Sequence, residues 1–482
     1  MEIDEKTNLK KNSFLVLFAS IFRQAISIIS GIIVARILFP EDFGIIGMAA
    51  TFSGLIDVFS RFGFEAFVIS RQEIDQKEIN SVYLSNIFVG LLSAAVILVG
   101  APIVAILYKT PEVKYILFFA AFLFIVNSLM SIPRALFIRE MRQDFISKVE
   151  IFHGFLNTCL VITMALMLAP NGFGYLSYVI ALLIANSLVC LIYLLKRRWK
   201  FSREIDRPIL KQSFRYGKSF LPKTILNYFV YNSDYIFVGA LLGPALLGYY
   251  CFGFDKASIF AGLLVGLHCT VFFPLFSKFQ QEPQELKKTF FSLVEKQALI
   301  VYPLIFIQII LAKEIINIIY SSKWDGSILT FQLILGYTFW RTSASIIHVL
   351  FDAVDMPQQN LKHFLVVTPI CIAAFLLGTK MGGLIGVSIA ACLAHTFSAF
   401  LLFGRTCRVF GWNLKELFVT LIKYLIPLIV QAPIIILFRI YLIGLGWADW
   451  AVLLAVMPAS LLLYLLIVRK DAFNFYKGLR HG

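Results

Sequence analysis

The turn that ends the first long apolar segment reads VARILFPEDFG, residues 34–44. A second turn, VGALLGPALLG at residues 238–248, has Val, Leu, Pro and Gly at the same places, 204 residues further along the chain. Each turn joins two apolar segments, and Pro and Gly also have a local role there because both stop a helix. A match that keeps its register over eleven residues nonetheless favours a duplicated structural unit.

The composition places these segments in a bilayer. Of the 482 residues 59% are hydrophobic and only 15% are charged, and the mean hydropathy is +0.83. A soluble protein has about 45–50% apolar and about 25% charged residues, so the sequence predicts an integral membrane protein. It contains no G-x-x-x-x-G-K-[ST] phosphate loop and no metal-site cysteine spacing, so we expect no ATPase activity, cofactor or metal.

Apolar segments long enough to cross a bilayer, which takes about 20 residues, follow one another along the whole chain. They begin near residues 13, 44, 80, 113, 149, 173, 217, 247, 292, 328, 361, 384, 417 and 448. We therefore predict an all-α polytopic membrane protein of about 14 transmembrane helices, in two pseudo-symmetric six-helix lobes plus two C-terminal helices.

The repeat predicts the domain organisation. The predicted parts are an N-terminal lobe (1–195), a basic cytoplasmic linker (196–216), a C-terminal lobe (217–410), and a final helix pair with its tail (411–482). An even number of spans separates the two copies, so the repeat is parallel and its axis lies along the membrane normal. Transporters built in this way bind their substrate between the lobes, near the middle of the membrane.

Lysine and arginine are distributed unevenly between the two sides. The loops on the side of the N-terminus hold 29 of the 43 basic residues. The opposite loops hold Arg36, Lys109, Lys114, Lys313, Lys323, Lys380 and Arg439. Basic residues in short loops mark the cytoplasmic side, so we predict the cytoplasmic (inner) membrane with both termini in the cytoplasm. The same bias accounts for the net charge of +15 without a nucleic-acid partner.

Four predicted spans carry a basic residue at depth. An ionisable side chain costs about 2.5–3.5 kcal/mol at the centre of a membrane helix, and it normally faces a cavity or a partner. The four residues are Arg23, Arg61, Lys256 and Arg341. A guanidinium group can fork onto two phosphate oxygens, so this set predicts a wet, cationic cavity that binds an anionic head group.

Internal pairing is the alternative for each of these cations. The pairs that the sequence allows are Arg61 with Asp57 or Glu65, Lys256 with Asp255 or Asp234, and Arg341 with Asp352. The acidic residues and a histidine are also candidates for proton or Na⁺ coupling. These candidates for ion coupling or pairing are Asp57, Glu65, Asp234, Asp255, His348 and Asp352. Spacing alone singles out none of them.

Four stretches resemble the polysaccharide transporters of the multidrug/oligosaccharidyl-lipid/polysaccharide exporter superfamily, in the branch of the colanic-acid and teichuronic-acid exporters. They are VARILFPEDFGIIGMAATFSGLIDVFSRFGFEAFVISRQ (34–72), SIPRALFIREMRQDF (131–145), SDYIFVGALLGPALLGYY (233–250), and FFPLFSKFQ with IIYSSKW (272–280 and 318–324). Together they cover the first two thirds of the chain in the order that the family shows.

The resemblance implies a flippase rather than an enzyme. Such a protein moves undecaprenyl-pyrophosphate-linked oligosaccharide to the outer leaflet by alternating access, for lipopolysaccharide O-antigen, capsule or exopolysaccharide. The related lipid II flippases hold cavity cations in helices 1, 2 and 8, where this chain has Arg23, Arg61 and Lys256. The implied partners are the lipid-linked oligosaccharide, the bilayer, and polysaccharide polymerase or chain-length machinery.

Three other functions compete with this interpretation. A cation-coupled drug exporter of the same superfamily would share the fold, but cationic substrates require acidic cavity walls. A polymerase or ligase of lipid-linked glycans would need a large outer loop with catalytic groups, and the longest outer loop here, residues 312–326, has none. A scaffold protein would not need buried cations. The cations at depth therefore favour the flippase.

Overall fold

The computed structural model describes residues 22–60, 63–71, 73–197, 199, 201 and 205–473. Regular structure in these residues is helical throughout. The helices are α1 (22–37), α2 (Pro40–Ser60), α3 (Phe64–Ser70), α4 (Gln76–Tyr108), α5 (Val113–Arg139), α6 (Gln143–Leu168), α7 (Ser177–Leu195), α8 (Arg207–Leu242), α9 (Pro244–Leu267), α10 (Phe273–Lys278), α11 (Pro283–Ile310), α12 (Ala312–Ile319), α13 (Ile328–Ala353), α14 (Pro357–Phe410), α15 (Leu414–Gly444) and α16 (Asp449–Ile467).

The predicted fold class is confirmed, since the chain is an all-α polytopic membrane protein. Within the described part, nine helical segments are both long and apolar enough to cross a bilayer. Helices α5 and α13 begin at the predicted residues, 113 and 328, and α2, α4, α9, α14 and α15 begin three or four residues before the predicted ones. The segment before residue 22, where the first span was predicted to begin, lies outside the described residues.

Helix α14 contains two predicted spans. Its 54 residues would measure about 80 Å as one straight helix, far more than the roughly 30 Å of a bilayer core. The backbone breaks at Gly383, where φ is 56° and ψ is −136°. The segments before and after the break lie close together, since a Cβ built on Gly386 would lie 2.2 Å from the carbonyl oxygen of Gly378. The chain therefore folds back on itself here, at the predicted start of a new span.

The chain divides into two compact units, Met1–Gly248 and Tyr249–Gly482. Helix α8 begins at Arg207, where the Asp206 side chain accepts a hydrogen bond from the backbone N–H of Ile209. Residues 207–216, assigned to the linker by the sequence analysis, are therefore the first turns of a helix. The predicted pair of duplicated lobes stays a prediction, because this division reflects packing and not internal repetition.

Small residues allow helices of the first unit to pack closely. Lipid is as apolar as a leucine side chain, so membrane helices associate through close packing rather than through the hydrophobic effect. Gly90 of α4 illustrates this, since a Cβ there would lie 2.4 Å from the side chain of Ser128 on α5. Beside this contact Asn86 donates a hydrogen bond of 2.7 Å to the carbonyl oxygen of Ser128. Helices α4 and α5 thus form a tight pair.

The two turns of the sequence repeat contact each other within the first unit. A Cβ built on Gly44 would lie 1.8 Å from the carbonyl oxygen of Pro244. Reciprocally, a Cβ on Gly248 would lie 1.7 Å from the carbonyl oxygen of Pro40. The recurrence of Pro and Gly in both turns therefore has a steric explanation, because each glycine leaves room for the backbone of the other turn.

The second unit is built around α13, which packs against α11 and α14. The core at this helix includes Ile346, Leu350 and Phe351 of α13, with Tyr302 of α11 and Phe403 of α14. All five are fully buried. One face of α13 is polar, however, and its hydrogen bonds lie inside the unit.

Candidate functional site

A cavity of about 590 Å³, lined by both polar and apolar side chains, lies in the first unit, near the C-terminal end of α5. Its walls come from α2, α3, α4 and α5. The lining side chains that are polar or charged are Asp57, Ser60, Glu65, Asn86, Asn127, Ser128, Ser131 and Arg134. Ligand sites in proteins usually have volumes of about 300–1,000 Å³, so the cavity is large enough for a head group of some size.

Arg134 connects two carboxylates at this cavity. Its Nη1 lies 2.7 Å from Oε1 of Glu65, and its Nη2 lies 3.2 Å from Oε1 of Glu150. Arg23 contacts the same Glu150, with Nη1 at 3.4 Å from Oε2. The Arg134 side chain keeps about a third of its surface exposed, and that of Arg23 about half. Two guanidinium groups and two carboxylates therefore form a partly exposed cluster with no net charge. We call Arg23, Glu65, Arg134 and Glu150 the ionic cluster.

The local backbone explains how three of these residues, Glu65, Arg134 and Glu150, are positioned. Helix α2 ends at Ser60, and Gly63 has a φ of 79°, so the chain restarts as α3 with Glu65 in its first turn. Arg134 lies five residues before the end of α5, and Glu150 lies seven residues into α6. Because a tight turn joins α5 to α6, these positions lie opposite each other on adjacent helices.

Uncharged polar side chains continue from the ionic cluster between α5, α6 and α7. Asn127 accepts a hydrogen bond of 2.9 Å from the amide of Asn186, whose oxygen lies 2.8 Å from Nε2 of His153. Asn127 also lines the cavity. Amide and hydroxyl groups of this kind can exchange hydrogen bonds with a polyhydroxylated ligand. Among the described residues, no three His, Cys, Asp or Glu side chains are grouped so that they could hold a metal ion.

The predicted residues of the first unit have varied environments. Arg23 and Glu65 belong to the ionic cluster. Asp57 lines the cavity and accepts a hydrogen bond of 3.2 Å from the Ser60 hydroxyl. Asp234 is fully buried, and its Oδ1 accepts from the backbone N–H of Tyr235. Arg61 lies outside the described residues.

The two predicted cations of the second unit lie among aromatic and hydroxyl groups. The Lys256 ammonium is 5.3 Å from the ring centre of Phe252 and 5.5 Å from that of Tyr320, and Asp255 beside it is exposed. Nη1 of Arg341 donates to the hydroxyls of Ser258 and Tyr337, each at 3.2 Å. The grouping of these cations with those of the first unit in one cavity stays a prediction.

One of the alternative ion pairs needs correction. Glu65 pairs with Arg134 of α5, whereas the predicted pairing of Arg61 stays a prediction because that residue lies outside the described part of the chain. Arg341 and Asp352 are eleven residues apart on one helix, about 16 Å along its axis, which is too far for contact. Asp352 accepts a hydrogen bond of 2.8 Å from the side-chain nitrogen of Asn360, and the side-chain oxygen of Asn360 lies 2.8 Å from Nδ1 of His348.

The sequence analysis did not find half of the ionic cluster. It counted Arg134 among the loop charges, because Pro133 and the charged residues after it look like a turn. The helix in fact continues through Pro133 to Arg139. A detectable signal was the spacing of Asn127, Ser131 and Arg134 on α5, which puts all three on one helical face.

The fold and the ionic cluster together define a class, a polytopic all-α membrane protein with a charged cavity inside its helical bundle. The family follows from sequence comparison, since residues 33–329 match the sequence model of the family described as "Polysaccharide biosynthesis protein". The chain belongs to this family, and the predicted resemblance is confirmed. It is also similar to the lipopolysaccharide biosynthesis protein WzxC of Escherichia coli, with 23% identity over 379 residues, 77% of this chain and 75% of that one.

Solved structures share the fold at low sequence identity. The lipid II flippase MurJ in an inward closed conformation superposes with a TM-score of 0.75 and 16% identity, over 97% of this chain and 99% of that one. An inward-facing multidrug resistance transporter of the MATE family has a TM-score of 0.58 and 16% identity, over 82% of this chain and 96% of that one. Both show the fold alone, and the fold does not separate a flippase from a drug exporter.

Proposed function

We propose that the protein is a flippase that moves undecaprenyl-pyrophosphate-linked oligosaccharide across the cytoplasmic membrane by alternating access. The observation that carries the proposal is the ionic cluster, in which Arg134 lines a cavity of the first unit and shares the Glu150 carboxylate with Arg23. Two guanidinium groups suit a pyrophosphate, because each can fork onto its oxygens. The translocated oligosaccharide is then used to build a surface polysaccharide such as O-antigen, capsule or exopolysaccharide.

The ionic cluster suggests how binding and release proceed. In the absence of substrate, Glu65 and Glu150 neutralise the charges of Arg134 and Arg23. An entering pyrophosphate displaces these carboxylates and takes over the guanidinium hydrogen bonds. When the cavity opens to the other side, the carboxylates compete for the arginines again and favour release. This competition makes substrate binding tight enough for selectivity and weak enough for release of the substrate.

Other predicted residues keep proposed roles. Lys256 and Arg341 are proposed to bind substrate from the second unit, and Arg61 from the segment after α2. The proposed roles in ion coupling or pairing concern Asp57, Glu65, Asp234, Asp255, His348 and Asp352. The two duplicated lobes are proposed to rock against each other, with both chain ends in the cytoplasm as the basic loops favour.

The family relationship supports the proposal. The Escherichia coli relative carries a name from lipopolysaccharide biosynthesis, and one of the solved structures with the same fold is a lipid II flippase. The alternative is a cation-coupled drug exporter. The two arginines of the ionic cluster argue against cationic substrates, although the carboxylates beside them weaken that argument. A scaffold protein needs no such cluster, and a polymerase or chain-length protein is proposed as a partner.

Deleting the gene in cells that keep their glycan-synthesis genes tests the proposal. Lipid-linked oligosaccharide should build up on the cytoplasmic leaflet while the surface polymer disappears. The wild-type gene should reverse both effects, and Arg134→Gln should not. Arg139→Gln is the matched control, because Arg139 lies on the same helix and contacts the backbone of Val68. Normal polymer without accumulation would favour the drug exporter.

A further inference from the structure

Three uncharged side chains of the cavity in the first unit each have a hydrogen-bonding group without a protein partner in the described part of the chain. They are Asn86 of α4 and Asn127 and Ser131 of α5, and all three line the cavity. A polar group that is buried without a partner is costly, so such groups usually meet water or a ligand. None of the three belongs to the ionic cluster. Their chemistry therefore indicates what else binds in this cavity.

Asn86 presents an acceptor to the cavity. The residue is only 6% exposed, and its Nδ2 donates a hydrogen bond of 2.7 Å to the carbonyl oxygen of Ser128 on α5. This bond fixes the orientation of the amide, because only its nitrogen can donate to a carbonyl group. Among the described residues, none donates to Oδ1 of Asn86. A side chain that is almost completely buried therefore holds an oxygen acceptor at the cavity wall.

Asn127 supplies donors instead. Its Oδ1 accepts a hydrogen bond of 2.9 Å from Nδ2 of Asn186 on α7, and the Asn186 oxygen in turn accepts from Nε2–H of His153 at 2.8 Å. The hydrogen bonds from His153 to Asn127 therefore fix which end of the Asn127 amide is already used. No described residue accepts from Nδ2 of Asn127, so both of its hydrogens remain for a ligand.

Ser131 lies between Asn127 and the ionic cluster on α5. Its hydroxyl makes no hydrogen bond with any described residue, so it can both donate to a ligand and accept from one. Ser131 follows Asn127 by four residues and precedes Arg134 by three, so the three side chains share one face of the helix. Asn127 and Arg134 are about 10 Å apart along the helix axis. Neutral polar groups therefore continue from the Arg134 guanidinium along this face.

This mixture of groups suits a sugar better than a lipid chain or a further phosphate. Each sugar hydroxyl can donate and accept, which matches the Asn86 oxygen and the Asn127 amide hydrogens together. A lipid chain would leave both amides without partners. A phosphate offers acceptors alone, so the Asn86 oxygen would repel it. Phe124, three residues before Asn127, adds an apolar wall against which the C–H face of a sugar ring can pack.

We propose that Asn86, Asn127 and Ser131 form a glycan subsite, which binds the sugar joined directly to the pyrophosphate. The subsite rests on the proposed function, because Arg134 holds the pyrophosphate beside it. With a phosphate at Arg134, the attached sugar reaches Ser131 within one helical turn and Asn127 within the next. Ring hydroxyls donate to the Asn86 oxygen and accept from the Asn127 amide. The ionic cluster then recognises the charge of the substrate, and the glycan subsite recognises its first sugar.

Binding of two probe lipids to the purified full-length protein in lipid bilayers tests the glycan subsite. One probe is undecaprenyl pyrophosphate. The other is the same lipid carrying only the first sugar, made by the enzyme that starts glycan synthesis in the same cells. We expect the wild-type protein to bind the sugar-bearing probe at least about tenfold more tightly. Ser131→Ala should reduce this ratio about two- to tenfold and leave the affinity for undecaprenyl pyrophosphate unchanged.

Further variants separate contact with the sugar from a structural role. Ser131→Thr keeps the hydroxyl and should keep the ratio, whereas Asn127→Ala combined with Ser131→Ala should bind both probes about equally. Ser187→Ala is the matched control, because the Ser187 hydroxyl donates within its own helix to the carbonyl oxygen of Leu183 at 2.7 Å. Arg134→Gln should weaken the binding of both probes alike, since both carry the pyrophosphate.

Each outcome decides the proposal. Equal binding of both probes by the wild-type protein, or an unchanged ratio in the combined variant, overturns the glycan subsite and leaves the proposed function standing. A Ser131→Ala protein that loses affinity for both probes equally assigns Ser131 a structural role and overturns the subsite too. A wild-type protein that binds neither probe overturns the subsite together with the proposed function.

Discussion

At the scale of single residues, the ionic cluster shows what helical spacing can and cannot reveal. Arg23 and Glu65 could be found because each lies within an apolar run, where a charge is conspicuous. Arg134 and Glu150 were missed, because they lie near helix ends and look like loop charges, although Arg134 shares a helical face with Asn127 and Ser131. Their pairing depends on the α5–α6 turn, which brings together residues 16 positions apart in the chain. Local patterns contain no information about such a contact.

Arg134→Lys tests whether the guanidinium fork matters beyond its charge. Lysine keeps the positive charge but loses the two parallel donors that meet Glu65 and a phosphate group. A charged hydrogen bond is worth about 1.5–3 kcal/mol, so we expect export to fall roughly ten- to hundredfold. The measurement is the rate of surface-polymer appearance at matched protein levels. Arg139→Lys should keep nearly full export, and an Arg134→Lys protein with wild-type export would refute a role for the fork.

At the scale of helices, the starts and ends of helices were predictable where Pro and Gly interrupt the apolar runs. The predicted start at residue 384 coincides with the break at Gly383 in α14. The extension of α5 through Pro133 was not predictable in the same way. Proline can remain inside a membrane helix, because neighbouring helices and hydroxyl groups satisfy the freed backbone groups. The positions of Pro and Gly therefore predict tight turns better than they predict the length of a helix.

Gly383→Ala should destabilise the protein, and Gly382→Ala should not. At Gly383 φ is 56° and ψ is −136°, a combination that a residue with a Cβ adopts only at a cost of about 1–3 kcal/mol. Gly382 has open space around its would-be Cβ. We expect thermal unfolding in detergent to begin several degrees lower for Gly383→Ala alone. Equal unfolding temperatures in the two variants would show that the break does not depend on glycine.

Gly44→Ala should disturb the contact between the two repeat turns. The added Cβ would lie 1.8 Å from the Pro244 carbonyl oxygen, so the two backbones must separate. We expect a lower unfolding temperature and reduced export. Gly404→Ala is the control, because nothing lies within 4 Å of that position and a compatible Gly-to-Ala change stabilises by about 0.4–1 kcal/mol. Unchanged stability in Gly44→Ala would mean that the turns do not require close contact.

At the scale of the whole molecule, the composition predicts a multi-pass membrane protein, and the distribution of basic residues among the loops predicts its orientation. The all-α membrane fold followed from composition and from the lengths of the apolar segments. The cavity could not be predicted, because its shape depends on how four helices diverge near the end of α5. Likewise, the partners of His348 depend on where α14 begins beside α13. Long-range packing decides both features.

The orientation can be tested with reporter fusions. We predict that both termini are cytoplasmic, because 29 of the 43 basic residues then lie in cytoplasmic segments. A fluorescent protein fused after Gly482 should fluoresce, and alkaline phosphatase fused there should be inactive. A phosphatase fusion after Lys109, in the turn between α4 and α5, should be active. The reverse pattern would contradict the orientation.

Transport of the lipid-linked glycan in a purified system tests the central claim most directly. Vesicles would contain the purified protein and the lipid-linked oligosaccharide extracted from the deletion strain. Oxidation of the glycan by external, membrane-impermeant periodate measures the fraction facing outward. The account predicts that wild-type protein makes the initially protected half accessible, and that Arg134→Gln does so at least about tenfold more slowly. Equal rates with wild-type protein and with protein-free vesicles would contradict it.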